Sequence, residues 1–203
     1  MNGENRQLDA ALTYVQRLKW PVFPCHAVTD VGHCSCGIPD CGSAGKHPRT
    51  ASGFKEATCD EVQVQRWWEQ WPDANIGVPT GAASGFDVLD VDPRHGGEES
   101  LEELQAQHGA LPETVEQLTG GGGRHFLFNH RQGAANKTAV RPGLDVRAEG
   151  GYIIVAPSSH INGRQYAWED SSRPLQVPLA EWPDWLLDIV WPAMGVGTEP
   201  APP

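Results

Sequence analysis

The 203-residue sequence contains no apolar run as long as a membrane span. Its opening, MNGENRQLDAA, has neither the basic nor the apolar region of a signal peptide. A cytoplasmic protein with no membrane partner is expected. An excess of positive charge is missing too: 15 Lys and Arg face 26 Asp and Glu, a formal net charge of -11. That balance argues against a protein that coats duplex DNA through bulk electrostatics, because such binding depends on basic side chains neutralising phosphates. The G-x-x-x-x-G-K-[ST] phosphate loop is also absent. The remainder, 39% hydrophobic and 20% charged, is ordinary globular composition for one large domain or two small modules sharing a core.

Charge is unevenly spread along the chain. Arg124, Arg131, Lys137, Arg141 and Arg147 fall in a stretch whose single acid is Asp145. A basic segment on an acidic protein suits a phosphorylated ligand, although a solvated loop would carry the same charges.

Four of the five cysteines lie near three histidines, in residues 25–48. Cys34, Cys36, Cys41 and His47 form C-x-C-x4-C-x5-H, and Gly37, Pro39, Gly42 and Gly45 between them let a loop fold back on a small ion. In a chain read as cytosolic, such a cluster points to a metal site rather than disulfides. Three thiolates and an imidazole match closed, structural Zn²⁺. Cys25, His26 and His33 are alternatives for one ligand. Cys59 stands apart as a simple thiol.

The most informative stretch is FDVLDVDPRHGG, residues 86–97, an apolar strand pattern ended by Pro93 and the pair Gly96 and Gly97. Asp90 and Asp92 are two apart, which on a strand puts both carboxylates on one face. Like charges that close repel unless a cation lies between them, and a hard divalent ion is suited to that place. On this reading an Asn substitution leaves metal-free stability equal or raised. Capping of a turn or helix is the alternative role for such aspartates.

Around this stretch, helices are expected at 8–18, at 61–71 with Val62, Trp67, Trp68 and Trp71 on the apolar side, at 98–108, and at the C-terminus within 178–192. Short strands are expected at 20–24 and 75–81. Residues 120–123 are four glycines ahead of Arg124 and His125, a run that lets backbone N–H groups approach phosphate, or else forms a plain loop. Asp145 then adds a third carboxylate, with Arg147 two residues on, before a strand at 152–155 and a turn ending at His160. Residues 193–203, which end in GVGTEPAPP, read as a linker or tail of a longer chain.

With these blocks in order, the sequence resembles the bifunctional primase-polymerase domain of the archaeo-eukaryotic primase superfamily, from about residue 8 to 160. The matching features are VLDVD with Asp90 and Asp92, GRH with His125, and GLD with Asp145. Gly123 departs from the Ser that many relatives carry. The resemblance implies an α+β fold in which an N-terminal α/β module packs on an RRM-like catalytic module, the active site lies in the cleft between them, and a zinc loop is inserted. The implied extents are a catalytic domain at 1–192 with its catalytic core at 75–168. The implied activity is template-directed nucleotidyl transfer that makes and extends primers, in the setting of plasmid, phage or mobile-element replication. Its partners would be a single-stranded DNA template, NTPs or dNTPs, and a helicase in the full-length context. In that family Asp90, Asp92 and Asp145 would hold Mg²⁺ or Mn²⁺, while His125, Arg147, Arg124, Gly123 and His160 would bind the nucleotide. A non-catalytic zinc-bearing nucleic-acid module and a Mn²⁺-dependent D-x-D glycosyltransferase are the other readings of the same residues.

Overall fold

The computed structural model describes residues 5–192, so the expected tail at 193–203 lies outside the described residues. In chain order the elements are α1 (Arg6–Thr13), β1 (Phe23–Cys25), α2 (Glu61–Gln70), β2 (Asn75–Pro79), β3 (Phe86–Val91), α3 (Gly97–His108), β4 (Val115–Leu118), β5 (Arg124–Asn129), β6 (Lys137–Arg141), β7 (Leu144–Arg147), β8 (Tyr152–Val155), β9 (Ala167–Trp168) and α4 (Asp184–Val190). The Asn5 side chain accepts the Leu8 N–H and starts α1. The helix then widens into a π-helical turn, Tyr14–Leu18, and ends at Lys19 with a left-handed φ of 59°. Asp60 caps α2 through the Val62 N–H. The buried face of α2 is Val64, Trp67 and Trp68, whereas Val62 is exposed, which corrects the expected apolar side.

The strands form two antiparallel sheets, one of three strands ordered β1-β2-β8 and one of six ordered β6-β7-β3-β5-β4-β9. The protein is therefore mixed α+β. The N-terminal module is not a parallel α/β unit, because its sheet is antiparallel and takes its third strand, β8, from beyond the aspartate strands.

Alternation along β3 divides the core. Phe86 and Val88 pack with Trp20 and, from α1, α2, β2 and β8, with Ala11, Val64, Trp68, Ile76 and Val155. Leu89 and Val91 point the other way, onto Leu101 and Leu104 of α3 and Leu186 and Val190 of α4. Asp90 continues the row of Phe86 and Val88, so the carboxylates emerge where the apolar cover of that face ends. Among the described residues no helix is long and apolar enough to cross a membrane.

Candidate active site

Strand register assembles the site. Asp90 on the central strand β3 lies directly opposite His125 on β5 and Asp145 on β7, and Val88 lies opposite Arg147. Cross-strand partners share a face. His125 Nε2 is 3.5 Å from one Asp90 oxygen, Arg147 is 3.7 Å from the other, and Arg147 also bonds Asp145 at 2.9 Å. Asp145 accepts the Ala139 N–H as well. Burial would raise the Asp90 carboxyl, but its contact with His125 and then the Arg147 charge outweigh it and lower its pKa.

Asp92 follows β3 and caps the single turn Pro93–His95 by accepting the Arg94 N–H. Its carboxylate also pairs with the Arg94 guanidinium at 2.8 Å and His95 Nδ1 at 2.9 Å. The Arg94 hydrogen bonds hold it well below the usual carboxylate range against the opposing effect of burial. The expectation that Asn substitutions leave metal-free stability equal or raised is corrected for Asp92, where Asn keeps the capping acceptor but loses the ion pairs with Arg94 and His95. The three carboxylates share a face without converging on one point.

Gln117 was not singled out in the sequence. It is fully buried on β4 opposite His125. Its Oε1 accepts the Ala156 N–H at 2.9 Å, and its Nε2 donates to Ile154 O at 2.9 Å and meets His125 Nδ1 at 3.0 Å. The two backbone groups fix which way the amide points, so Nδ1 accepts and the imidazole N–H lies on Nε2, facing Asp90. Only the β-register makes this contact, and a buried Gln in a short strand carries no local signal of it.

The glycine run is a tight turn. Gly122 N–H bonds Thr119 O, Gly123 N–H bonds Thr119 Oγ1, and Gly123 O accepts the Thr119 N–H. Those two amides are therefore consumed within the loop. A Cβ at Gly123 would stand 2.2 Å from Val91 O, which explains glycine where a serine was expected. Arg124 does not face the aspartates. It lies on the opposite face of β5, paired with Glu98 and Glu116 and stacked over Phe126, so its assignment to the nucleotide is corrected. His160 is buried beside the glycine turn, edge-on to Tyr166, and burial lowers its pKa.

Lys46, Asp90, Asp92, Arg94, Gly123 and His125 line one cavity together with Tyr166. Lys46, Arg94 and Tyr166 were not anticipated. Lys46 keeps an exposed surface, yet partial desolvation within this wall, then Arg94, lower its ammonium pKa, while Asp90 and Asp92 oppose the shift.

Cys34, Cys36, Cys41 and His47 come together with ligand atoms all within 4.8 Å of one another, a group that could hold a metal ion. His47 Nε2 lies 3.3 Å from Cys34 Sγ and 3.5 Å from Cys41 Sγ. Burial opposes ionisation of Cys34, but N–H groups of Cys36 and Gly45 and the side chains of Cys36 and His47 bring its pKa down to about 6. The alternatives fall outside the cluster. Cys25 is a buried β1 thiol whose pKa burial raises, His26 stacks on His47 at 4.3 Å and bonds Ser35, and His33 is exposed.

The carboxylate, histidine and arginine face thus lies on the six-stranded antiparallel sheet, and the Cys3His loop follows β1 at the edge of the smaller one. The model of the family described as bifunctional DNA primase/polymerase, N-terminal (Prim-Pol), matches residues 11–185, and the chain belongs to that family. No curated protein matches the sequence.

Proposed function

We propose that this chain is a template-directed DNA primase and polymerase, making and extending primers on single-stranded DNA from NTPs or dNTPs. The observation that carries this reading is the register that sets Asp90 between His125 and Asp145, with Arg147 on the same face. Asp90, Asp92 and Asp145 would hold Mg²⁺ or Mn²⁺, and hard divalent ions suit such an oxygen-only set. Divalent ions held there would supply Lewis-acid activation of the attacking 3′-hydroxyl and charge neutralisation at the pyrophosphate.

The chain's own residues position the nucleotide. His125 presents its Nε2–H at the carboxylates, held by Gln117. Arg147 supplies a cation to the triphosphate from the same face, and Gly123 and His160 support the loop beside it. Positioning and charge neutralisation carry most of the rate in such transfers. The Cys34, Cys36, Cys41 and His47 group would hold a structural Zn²⁺, since four protein ligands leave no open position.

The RRM-like reading of the catalytic module is supported by the strand order β7-β3-β5-β4 with α3 crossing between β3 and β4. Its departure from that pattern is β6, a strand where a second crossover helix would stand. We take 1–192 as one catalytic domain, with the zinc loop at 25–48, the catalytic core at 75–168 and the closing helix within 178–192. A cytoplasmic setting in a prokaryotic cell or one of its mobile elements, with a helicase as partner, completes the proposal.

The test is primer synthesis on unprimed single-stranded DNA, with NTPs and dNTPs separately and with Mg²⁺ or Mn²⁺. Wild type should make and extend primers, and Asp90→Asn should be folded and inactive. Near wild-type synthesis by folded Asp90→Asn would overturn the catalytic reading, and UDP-sugar turnover without nucleotide incorporation would replace it.

A further inference from the structure

The Cys3His loop and the aspartate face meet at a single residue. Lys46 immediately precedes the ligand His47 and lines the same cavity as Asp90, Asp92 and His125. Its backbone is fixed from several sides. The Lys46 N–H closes a turn onto Ser43 O at 2.9 Å, and Lys46 O accepts the Tyr152 hydroxyl of β8 at 3.1 Å. The neighbouring Gly45 O accepts Asn75 Nδ2 of β2 at 2.8 Å, and the same amide clamps Ser159 through both its atoms. Gly45 has φ +73°, and a Cβ there would stand 2.8 Å from Val28 Cγ2 and 3.1 Å from Asn75 Nδ2. No side chain fits, so the turn is held against β2 as closely as backbone allows. On the other side, the His47 carbonyl accepts the His26 N–H at 2.9 Å, while its ring joins the thiols.

The charges around the cavity are unevenly committed. Arg94 is bonded to Asp92, and Arg147 to Asp145. Among the described residues, no ion pair includes Lys46. It is a cation aimed at a carboxylate-lined cavity without being paired to those carboxylates. An ammonium on a flexible stem is well suited to a phosphate.

We infer that Lys46 is a phosphate-binding residue of the active site, and that the Cys3His loop serves to position it there. The inference rests on the nucleotidyltransferase reading for the identity of the cavity, but it concerns binding and not turnover. The phosphate is that of a nucleoside triphosphate or of a DNA strand, and the two sources are separated by experiment.

The experiment measures affinity of the whole chain for a dNTP, for inorganic tripolyphosphate and for a short single-stranded oligonucleotide, by calorimetry with Ca²⁺ present. Lys46→Ala should weaken dNTP and tripolyphosphate binding about tenfold or more, since a charge-assisted hydrogen bond is lost. Lys46→Arg should restore most of it, and melting temperature and metal content should stay at wild-type values. Loss confined to the oligonucleotide also supports the phosphate role and assigns it to the strand. Cys36→Ser, examined by circular dichroism to establish that it is folded, should lose dNTP affinity to a similar extent. Adding Lys46→Ala to it should then cause no further loss, because the two changes act through one contact.

Unchanged affinity for all three probes in Lys46→Ala would overturn the phosphate role. A full further loss in the double variant would overturn the positioning role of the loop. Lys46-dependent tripolyphosphate binding by a protein that makes no primers would instead preserve this inference and remove the polymerase reading.

Discussion

On the β3, β5 and β7 face, Asp90, His125 and Asp145 are set side by side by ladder hydrogen bonds between strands. In the segment between β1 and α2, four ligands converge from residues 34–47 on a chain held by isolated bridges, such as Val28 to Cys34 and Cys25 to Pro48, and by single hydrogen bonds from Asn75 and Tyr152 rather than by a strand ladder. The first arrangement stands on a sheet buried on both sides near its centre. The second lies outside the two large apolar clusters, so an ion bound there would contribute much of what keeps it in place. The face can therefore lose its chemistry and keep its shape, while the loop's chemistry and shape are lost together.

The largest expected effect breaks the face chemically. Asp145→Asn should lower primer extension by about 10²–10³-fold, the scale of removing one preorganised electrostatic contact, with little change in melting temperature. Activity within a few-fold of wild type would separate Asp145 from the catalytic set. Cys36→Ser or Cys41→Ser should break the loop. Each should lose the bound zinc, lower stability by about 3 kcal/mol or more, and open residues 25–48 to protease while β3 and β5 keep their hydrogen-exchange protection. Elemental analysis finding no zinc in wild type would remove the basis for this expectation, and full zinc in both variants would show other ligands at work.

Gln117→Leu sharpens the comparison, because it strikes the face through its buried support. The Ala156 N–H and Ile154 carbonyl lose their partner, which should cost about 2–3 kcal/mol by denaturant titration. Nitrogen NMR of His125 should show the ring proton no longer confined to Nε2. An unmoved imidazole spectrum would mean that Asp90 alone sets the tautomer.

The smallest effect concerns Asp92. Its folded pKa lies below the unfolded value of about 3.9. The stability it contributes is thus present above about pH 4 and fades as pH falls further. With Arg94 well exposed, Asp92→Asn should cost only about 0.5–1 kcal/mol at neutral pH and almost nothing at low pH. A pH-independent loss would show that the ion pairs with Arg94 and His95 are not its source.

What was legible in the sequence was what local pattern encodes. Amphipathic spacing marks α1 and α2, the apolar run marks β3, and ligand spacing marks Cys34, Cys36, Cys41 and His47, although only the folded loop sets Cys25, His26 and His33 aside. The shared face of Asp90 and Asp92 follows from period-two alternation. What escaped depends on which strand lies beside which. Arg124 and His125 are adjacent in sequence, yet the pleat sends one to Glu98 and the other to Asp90. Gln117 and Lys46 reach the site across gaps in sequence that no motif spans. Val62 misled because its apolar character sits on the outer side of α2.

The place of β8 in the smaller sheet bears on how the chain is made. Residues of β1 and β2 leave the ribosome well before Tyr152–Val155, and every strand from β3 to β7 is synthesised in between. Until then, β2 lacks its β8 neighbour, Asn75 lacks its partner Ser159, and Lys46 lacks the Tyr152 hydroxyl. The first half of the chain is not a unit that folds ahead of the second. Its sheet closes only once the aspartate-bearing strands have been synthesised, so N-terminal fragments that stop short of β8 should emerge without either site assembled.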